Sequence, residues 1–338
     1  MNFPIIISVE GFSLSKQEKK NISKFKPFGV IIFSRNIKNF SQISKLNQSI
    51  KLLSKNTLIF IDQEGGIVNR FKNFKEFNFP DNFDLYKIYL KYPSLAKQLV
   101  FLKSFITSFH LKKLFFDVNT VPVLDIPIKN TIQMIKKRTF GPNININITL
   151  QDIYLDNLFN FGLIPLMKHI PGHGVTNKDS HLTMPISNLS NSSLNNHINI
   201  FKHFNRLPLA MTAHIKYLSW DQKYIATFSK IIINEIIRKK IGFKGLIMTD
   251  DLEMNANIYD IEDSIDLSNK SKIDIMLDCS SSWSKYTKII DTFNVSNNYR
   301  KFYKLKKLIK YKPRLNIESI NINQYHHLYN QLLVTHGI

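Results

Sequence analysis

The segment KHIPGHGVTNKDSHLTMP, residues 168–185, sets His169, His173 and His181 around a Pro171-Gly172 break and places Asp179 two residues before His181. Pro171, Gly172 and Gly174 interrupt any helix or strand, so the segment reads as a loop that holds polar side chains in fixed places. A carboxylate beside an imidazole fixes its tautomer and orientation, and the ring then titrates where proton transfer is efficient near neutral pH. Asp179 and His181 therefore read as a proton-transfer dyad. The plainer account has Asp179 bonding backbone amides in a turn.

Other groups carry chemistry at a distance along the chain. In DQEGGIVNRF, residues 62–71, Asp62 can accept and Arg70 donate hydrogen bonds to a polyhydroxylated ligand, or Arg70 can pair with Asp62 or Glu64 to neutralise buried charge. In MTDDLEM, residues 248–254, Asp250 and Asp251 suit a helix N-cap, and one of them is also placed to attack or stabilise a cationic centre. Lys168 and His169 read as donors to substrate oxygens. A metal held by His169 and His173 alongside Asp62 and Asp250, or by His169, His173, His181 and Asp250, is the rival reading, but the H-x-x-x-H spacing broken by Pro-Gly is not the paired spacing of barrel metal sites, and no metal is expected.

The elements that must position these residues recur with a rhythm. Apolar, β-branched runs at 5–10, 29–34, 57–62, 114–126, 162–169, 208–214, 245–251 and 273–279 are each followed by polar residues and then by helical spacing, as in SQISKLNQSIKLLSK, SLAKQLVFLKSFITSFH and SKIIINEIIRKK. Runs apolar on both faces belong to a parallel sheet covered by helices, and eight such units predict an α/β fold, a single-domain (β/α)8 TIM barrel. An open doubly wound sheet is the alternative, but no GxGxxG follows the first strand. The reactive residues fall just after the strands, where the barrel mouth lies: Ser34 to Asn36, Asp62 to Gly66, Asp125, Lys168 and His169, His214, then Asp250 and Asp251. The barrel is expected over 1–294, with 295–338 as a C-terminal helical extension packed on it.

Composition narrows the function classes. The 338 residues are 43% hydrophobic, enough for a large core. The single cysteine, Cys279, excludes a disulfide framework and fits a reducing compartment. The net charge of +21 raises a nucleic-acid hypothesis, yet the lysines are scattered among many Asn, Ile, Phe and Tyr residues, as A/T-rich codon usage would produce. The densest basic run, residues 299–314, reads as the solvated face of a late helix, and no specific nucleic acid is expected. MNFPIIISVEG lacks a basic n-region, and no apolar run reaches a membrane-spanning length, so no membrane partner and a cytoplasmic location are expected.

DQEGGIVNRF, KRTFG, KHIPGHGVTNKDSH, MTAHIKY and MTDDLEM, in that order, resemble glycoside hydrolase family 3, in particular its single-domain bacterial β-N-acetylglucosaminidases. The resemblance covers about residues 5–280. It implies removal of terminal β-linked N-acetylglucosamine from peptidoglycan fragments, in cell-wall recycling, with retention through a covalent glycosyl-enzyme and without a cofactor. By motif match, Asp250 is the implied nucleophile and His181, oriented by Asp179, the implied general acid/base, in place of the second carboxylate of most retaining glycosidases. Asp62, Arg70, Arg138, Lys168 and His169 match the positions that grip the sugar. Ile67 and Val175 depart from the family pattern, which commonly has Arg and Asp there. The expected partner is a small glycan, N-acetylglucosaminyl-anhydromuramyl peptide, and the expected state a monomer. The other readings kept open are a metal-dependent barrel hydrolase, a basic glycan- or nucleic-acid-binding protein with an inactive barrel, and phosphate in place of water as acceptor.

Overall fold

The computed structural model describes residues 3–178, 180, 183–293 and 313–337. Each of the eight apolar runs yields one strand of a closed, all-parallel barrel. The barrel strands are β1 Phe3–Ser8, β2 Pro27–Ile32, β3 Leu58–Ile61, β4 Val118–Asn119, β5 Ile164–Ile170, β6 Leu209–Thr212, β7 Leu246–Asp251 and β8 Ile275–Asp278. Neighbours in sequence are neighbours in space, and β8 closes against β1 in register Ile5 to Met276.

Alternation explains why the runs are apolar throughout. Ile6, Ile275, Leu277, Leu246, Met248 and Phe60 point into the barrel and pack on one another. Ile5, Ile7, Met276, Ile247, Ile59 and Ile61 point outward under the helices. Both faces are dry, so neither can carry polar residues without a partner.

The 114–126 run departs from expectation, because only Val118–Asn119 pair as strand β4. Pro122 has no N–H to give to a ladder. The chain still runs along β5: Leu124 N donates to Lys168 O at 2.7 Å and Lys168 N to Pro122 O at 3.0 Å. This places Asp125 beside His169 although it lies six residues past the strand.

The expected helices appear as Phe40–Leu53, Pro93–Lys113 and Ile232–Lys240. The last is wound as a π-helix, with Ile241 N reaching Ile236 O at 2.8 Å. An unexpected two-stranded pair, Ile186–Ser187 with Lys216–Tyr217, ties the loop after β5 to the loop after β6. Of the expected C-terminal extension, 295–312 and 338, and with them nearly all of the basic run, lie outside the described residues. Helix Ile322–Thr335 packs on the Pro93–Lys113 side of the barrel, with Tyr325 stacked on Phe105 at 4.1 Å and Tyr329 edge-on to Phe79 at 5.2 Å. Among the described residues no helix is long and apolar enough to cross a membrane.

Candidate active site

The carboxyl ends of the strands surround a cavity of about 290 Å³. Its lining includes Asp62, Arg70, Arg138, Lys168, His169 and Asp250. Six of the eight residues marked in the sequence thus meet in one place, although they span nearly 190 positions. Asp179 and His181 lie outside the described residues.

The floor is a charge network. Arg70 Nη2 donates to Asp62 Oδ2 at 2.6 Å, and Thr120 donates its hydroxyl to Asp62 Oδ1. Lys168 Nζ lies 2.6 Å from Glu64 Oε1, 3.2 Å from Asp62 Oδ1 and 2.8 Å from Thr120 Oγ1. Arg138 clasps Glu64 through both arms of its guanidinium, Nε to Oε2 at 2.9 Å and Nη2 to Oε1 at 2.8 Å. Burial alone would raise both acids. The neighbouring cations outweigh it: Lys168 and Arg70 hold Asp62 well below the usual range, and Arg138 and Lys168 bring Glu64 to about 2. Arg70 therefore pairs with Asp62, as the structural account of the sequence allowed, while Arg138 takes Glu64.

This network decides stability at acid pH. A carboxylate whose folded pKa is depressed stabilises the fold above its unfolded value and loses that contribution as pH falls through the folded value. For Glu64 the window runs from 4.5 down to about 2. Thermal midpoints should fall steeply over that window. Glu64→Gln should flatten this limb, and at neutral pH it should cost about 3–5 kcal/mol, because Arg138 stays buried without its paired carboxylate while Lys168 keeps only Asp62. Superimposable melts of the two proteins across pH 2–7 would refute this.

The second cluster orients His169. Its Nδ1 lies 2.7 Å from Asp125 Oδ2, and an ionised carboxylate only accepts, so the proton sits on Nδ1 and Nε2 faces the cavity. Asp125 also receives the backbone N–H of His173 at 2.6 Å. Burial pushes Asp125 up, but His169 and His173 hold it below the usual carboxylate range. Nε2 of His169 meets Arg138 Nη2 at 3.4 Å and Asp250 Oδ2 at 4.0 Å. A guanidinium at that nitrogen disfavours a bound metal ion there, and among the described residues no three His, Cys, Asp or Glu side chains are placed to hold one.

In the loop after β5, Ser180 is held through both its side chain and its backbone carbonyl. Ser180 Oγ lies 3.0 Å from His173 Nε2, and its carbonyl accepts from Ala256 N at 3.0 Å. Burial, then the neighbouring His169, brings His173 down to about 4, so it is neutral at pH 7. Gly174 fits because a Cβ there would lie 2.0 Å from Ile126 O.

The acids at the end of β7 differ. Asp251 Oδ1 accepts the N–H groups of Cys279 at 3.0 Å and Glu253 at 3.2 Å, and its carbonyl accepts from His214 Nε2 at 3.2 Å. Burial raises Asp251 to about 6. Asp250 Oδ1 accepts Asp251 N–H at 2.9 Å. Asp250 therefore faces His169 across the cavity, while Asp251 ties β7 to β8. Glu64, which the sequence offered only as a possible partner for Arg70, and Thr120, which it did not single out, are both part of the charge network. Glu64 sits inside the DQEGG motif, whereas nothing near Thr120 marks it.

The match to known proteins follows the same geometry. Residues 6–300 match the family model described as glycosyl hydrolase family 3 N terminal domain. The chain is 31% identical over 262 residues to a β-hexosaminidase of Psychromonas ingrahamii, covering 75% of each, and 30% identical over 259 residues to that of Haemophilus influenzae, covering 75% and 72%. It superposes on native NagZ of Neisseria gonorrhoeae with a TM-score of 0.87 at 27% identity over 98% of each chain. NagZ of Neisseria gonorrhoeae in complex with N-trifluoroacetyl-D-glucosamine matches equally well, with a TM-score of 0.87 at 26% identity. The chain belongs to glycosyl hydrolase family 3, as a glycoside hydrolase of the β-hexosaminidase type.

Proposed function

We propose that this protein is a retaining β-N-acetylglucosaminidase that removes terminal β-linked N-acetylglucosamine from peptidoglycan fragments in the cytoplasm, during cell-wall recycling. Residues 1–294 serve as the catalytic barrel and 295–338 as its extension. The observation that carries the reading is the cavity bounded by Asp62, Arg70, Arg138, Lys168 and His169 on one side and Asp250 on the other. It is the size of the small end of ligand clefts, about 300 Å³, which suits one monosaccharide.

In this reading the cations and carboxylates of the floor exchange hydrogen bonds with the sugar hydroxyls. Arg70 Nε, buried and without a hydrogen-bond partner among the described residues, is a donor for one of them. Asp250 attacks the anomeric carbon as the glycosidic bond loosens, forming a glycosyl ester, and His181 protonates the leaving oxygen. His181, oriented by Asp179, then deprotonates the water that breaks the ester.

The test is release of chromophore from an aryl N-acetyl-β-glucosaminide, with and without phosphate. Cleavage independent of phosphate fits hydrolysis, whereas a rate that requires phosphate means phosphorolysis. The aryl N-acetylglucosaminide should be cleaved at least about tenfold faster than the aryl glucoside, since each buried polar group left unpaired costs about 1–3 kcal/mol. Equal kcat/KM on the two substrates would reject the assignment.

A further inference from the structure

Lys103 sits in the middle of helix Pro93–Lys113 and has no exposed surface. Burying an ammonium there is costly unless it is held, and an apolar residue would pack the helix as well. Its Nζ donates to Asn82 Oδ1 at 2.7 Å and to Pro80 O at 3.2 Å. Its chain end fills the space beneath Gly65, where a Cβ would fall 2.6 Å from Cε and 2.9 Å from Nζ. Gly65 has φ +79°, so a side chain here would also strain the backbone.

Asn82 passes the connection on. Its Nδ2 donates to Arg138 O at 2.9 Å, and the next residue, Phe83, donates its N–H to Lys137 O at 3.3 Å. Arg138 closes the circuit by clasping Glu64, the neighbour of Gly65. One buried ammonium therefore lies behind both loops that bear the Glu64–Arg138 pair.

We propose that Lys103 is a positioning residue for sugar binding, holding the 64–66 turn and the 137–138 segment at the spacing the Glu64–Arg138 clasp requires. This rests on the proposed glycosidase reading. Burial brings Lys103 down to about 7, opposed by Asp81, Glu64 and Asp84. Those acids are themselves held, Asp81 by Lys137 at 3.4 Å and Asp84 by Lys87 at 2.8 Å. Lys103 does not line the cavity, so it acts on binding through Asn82 and the turn.

The test compares wild type, Lys103→Met, Asn82→Leu and the double variant on an aryl N-acetyl-β-glucosaminide. Each single variant should raise KM about tenfold, the scale of one lost charge-assisted hydrogen bond, with kcat within about threefold. The double variant should be no worse than either single one, as members of one circuit are not additive. Hydrogen exchange at the amides of 65–68 and 137–139 should quicken in both single variants and not elsewhere in the barrel. An unchanged KM in folded variants, additive losses, or kcat and KM failing together with a fallen thermal midpoint would overturn the proposal. If Lys103→Met does not fold, Asn82→Leu gives the same readings. If wild type itself releases no chromophore, the glycosidase reading fails, and the exchange pattern alone then upholds or rejects the circuit.

Discussion

Asp250→Ala is expected to lower kcat on an aryl N-acetyl-β-glucosaminide by about 10³-fold or more, with the circular dichroism and thermal midpoint of wild type. The carboxylate supplies a covalent bond that water in its place does not form in the same geometry. Its position suits a nucleophile, because the Asp251 N–H fixes one oxygen and the other faces His169 Nε2 across the cavity at 4.0 Å. Asp251 is the internal control. Its carboxylate is committed to the amides of Cys279 and Glu253, so Asp251→Ala should lower stability and reduce turnover through displacement of β7. Full activity in Asp250→Ala, or abolition only in Asp251→Ala, would mean that the wrong acid is assigned. The same experiment reads stereochemistry, because a covalent intermediate delivers the β-anomer first.

The second large effect belongs to His181, where loss should depend on the leaving group. A general acid contributes about 10²–10⁴-fold when the departing oxygen needs a proton. His181→Ala should therefore slow an alkyl glycoside by that much, while a nitrophenyl glycoside, whose leaving group departs unprotonated, should be slowed far less in the glycosylation step. Asp179→Asn should show the same pattern more mildly, since the imidazole persists without its orienting charge. Ser180 supplies a geometric control, because its bonds to His173 and Ala256 pin the loop without entering the chemistry. A uniform loss across leaving groups, relieved by added metal and deepened by chelator, would instead make His181 a metal ligand.

Much of this was legible before folding. Eight apolar runs, dry on both faces, specify eight parallel strands, and a parallel barrel puts its chemistry at the carboxyl ends of those strands. Asp62, Lys168, His169 and Asp250 could therefore be placed at the barrel mouth by position, and all four line the cavity there. The family could be read from ordered motifs, because short-range spacing is preserved in the chain itself.

Pairing was not legible. Sequence left Arg70 with a choice of Asp62 or Glu64, and gave Asp125 no partner at all. Barrel closure resolved both, bringing Arg138 onto Glu64 across 74 positions and His169 onto Asp125 across 44. Nor did the helical spacing of 94–110 distinguish buried Lys103 from exposed Lys97 on the same helix, since residue type alone does not say whether a lysine faces water or core. Hydrophobic period is a local property, written every two or four residues. Which charges meet in the dry interior depends on distant segments approaching within about 3 Å, and only the packed tertiary structure sets those distances.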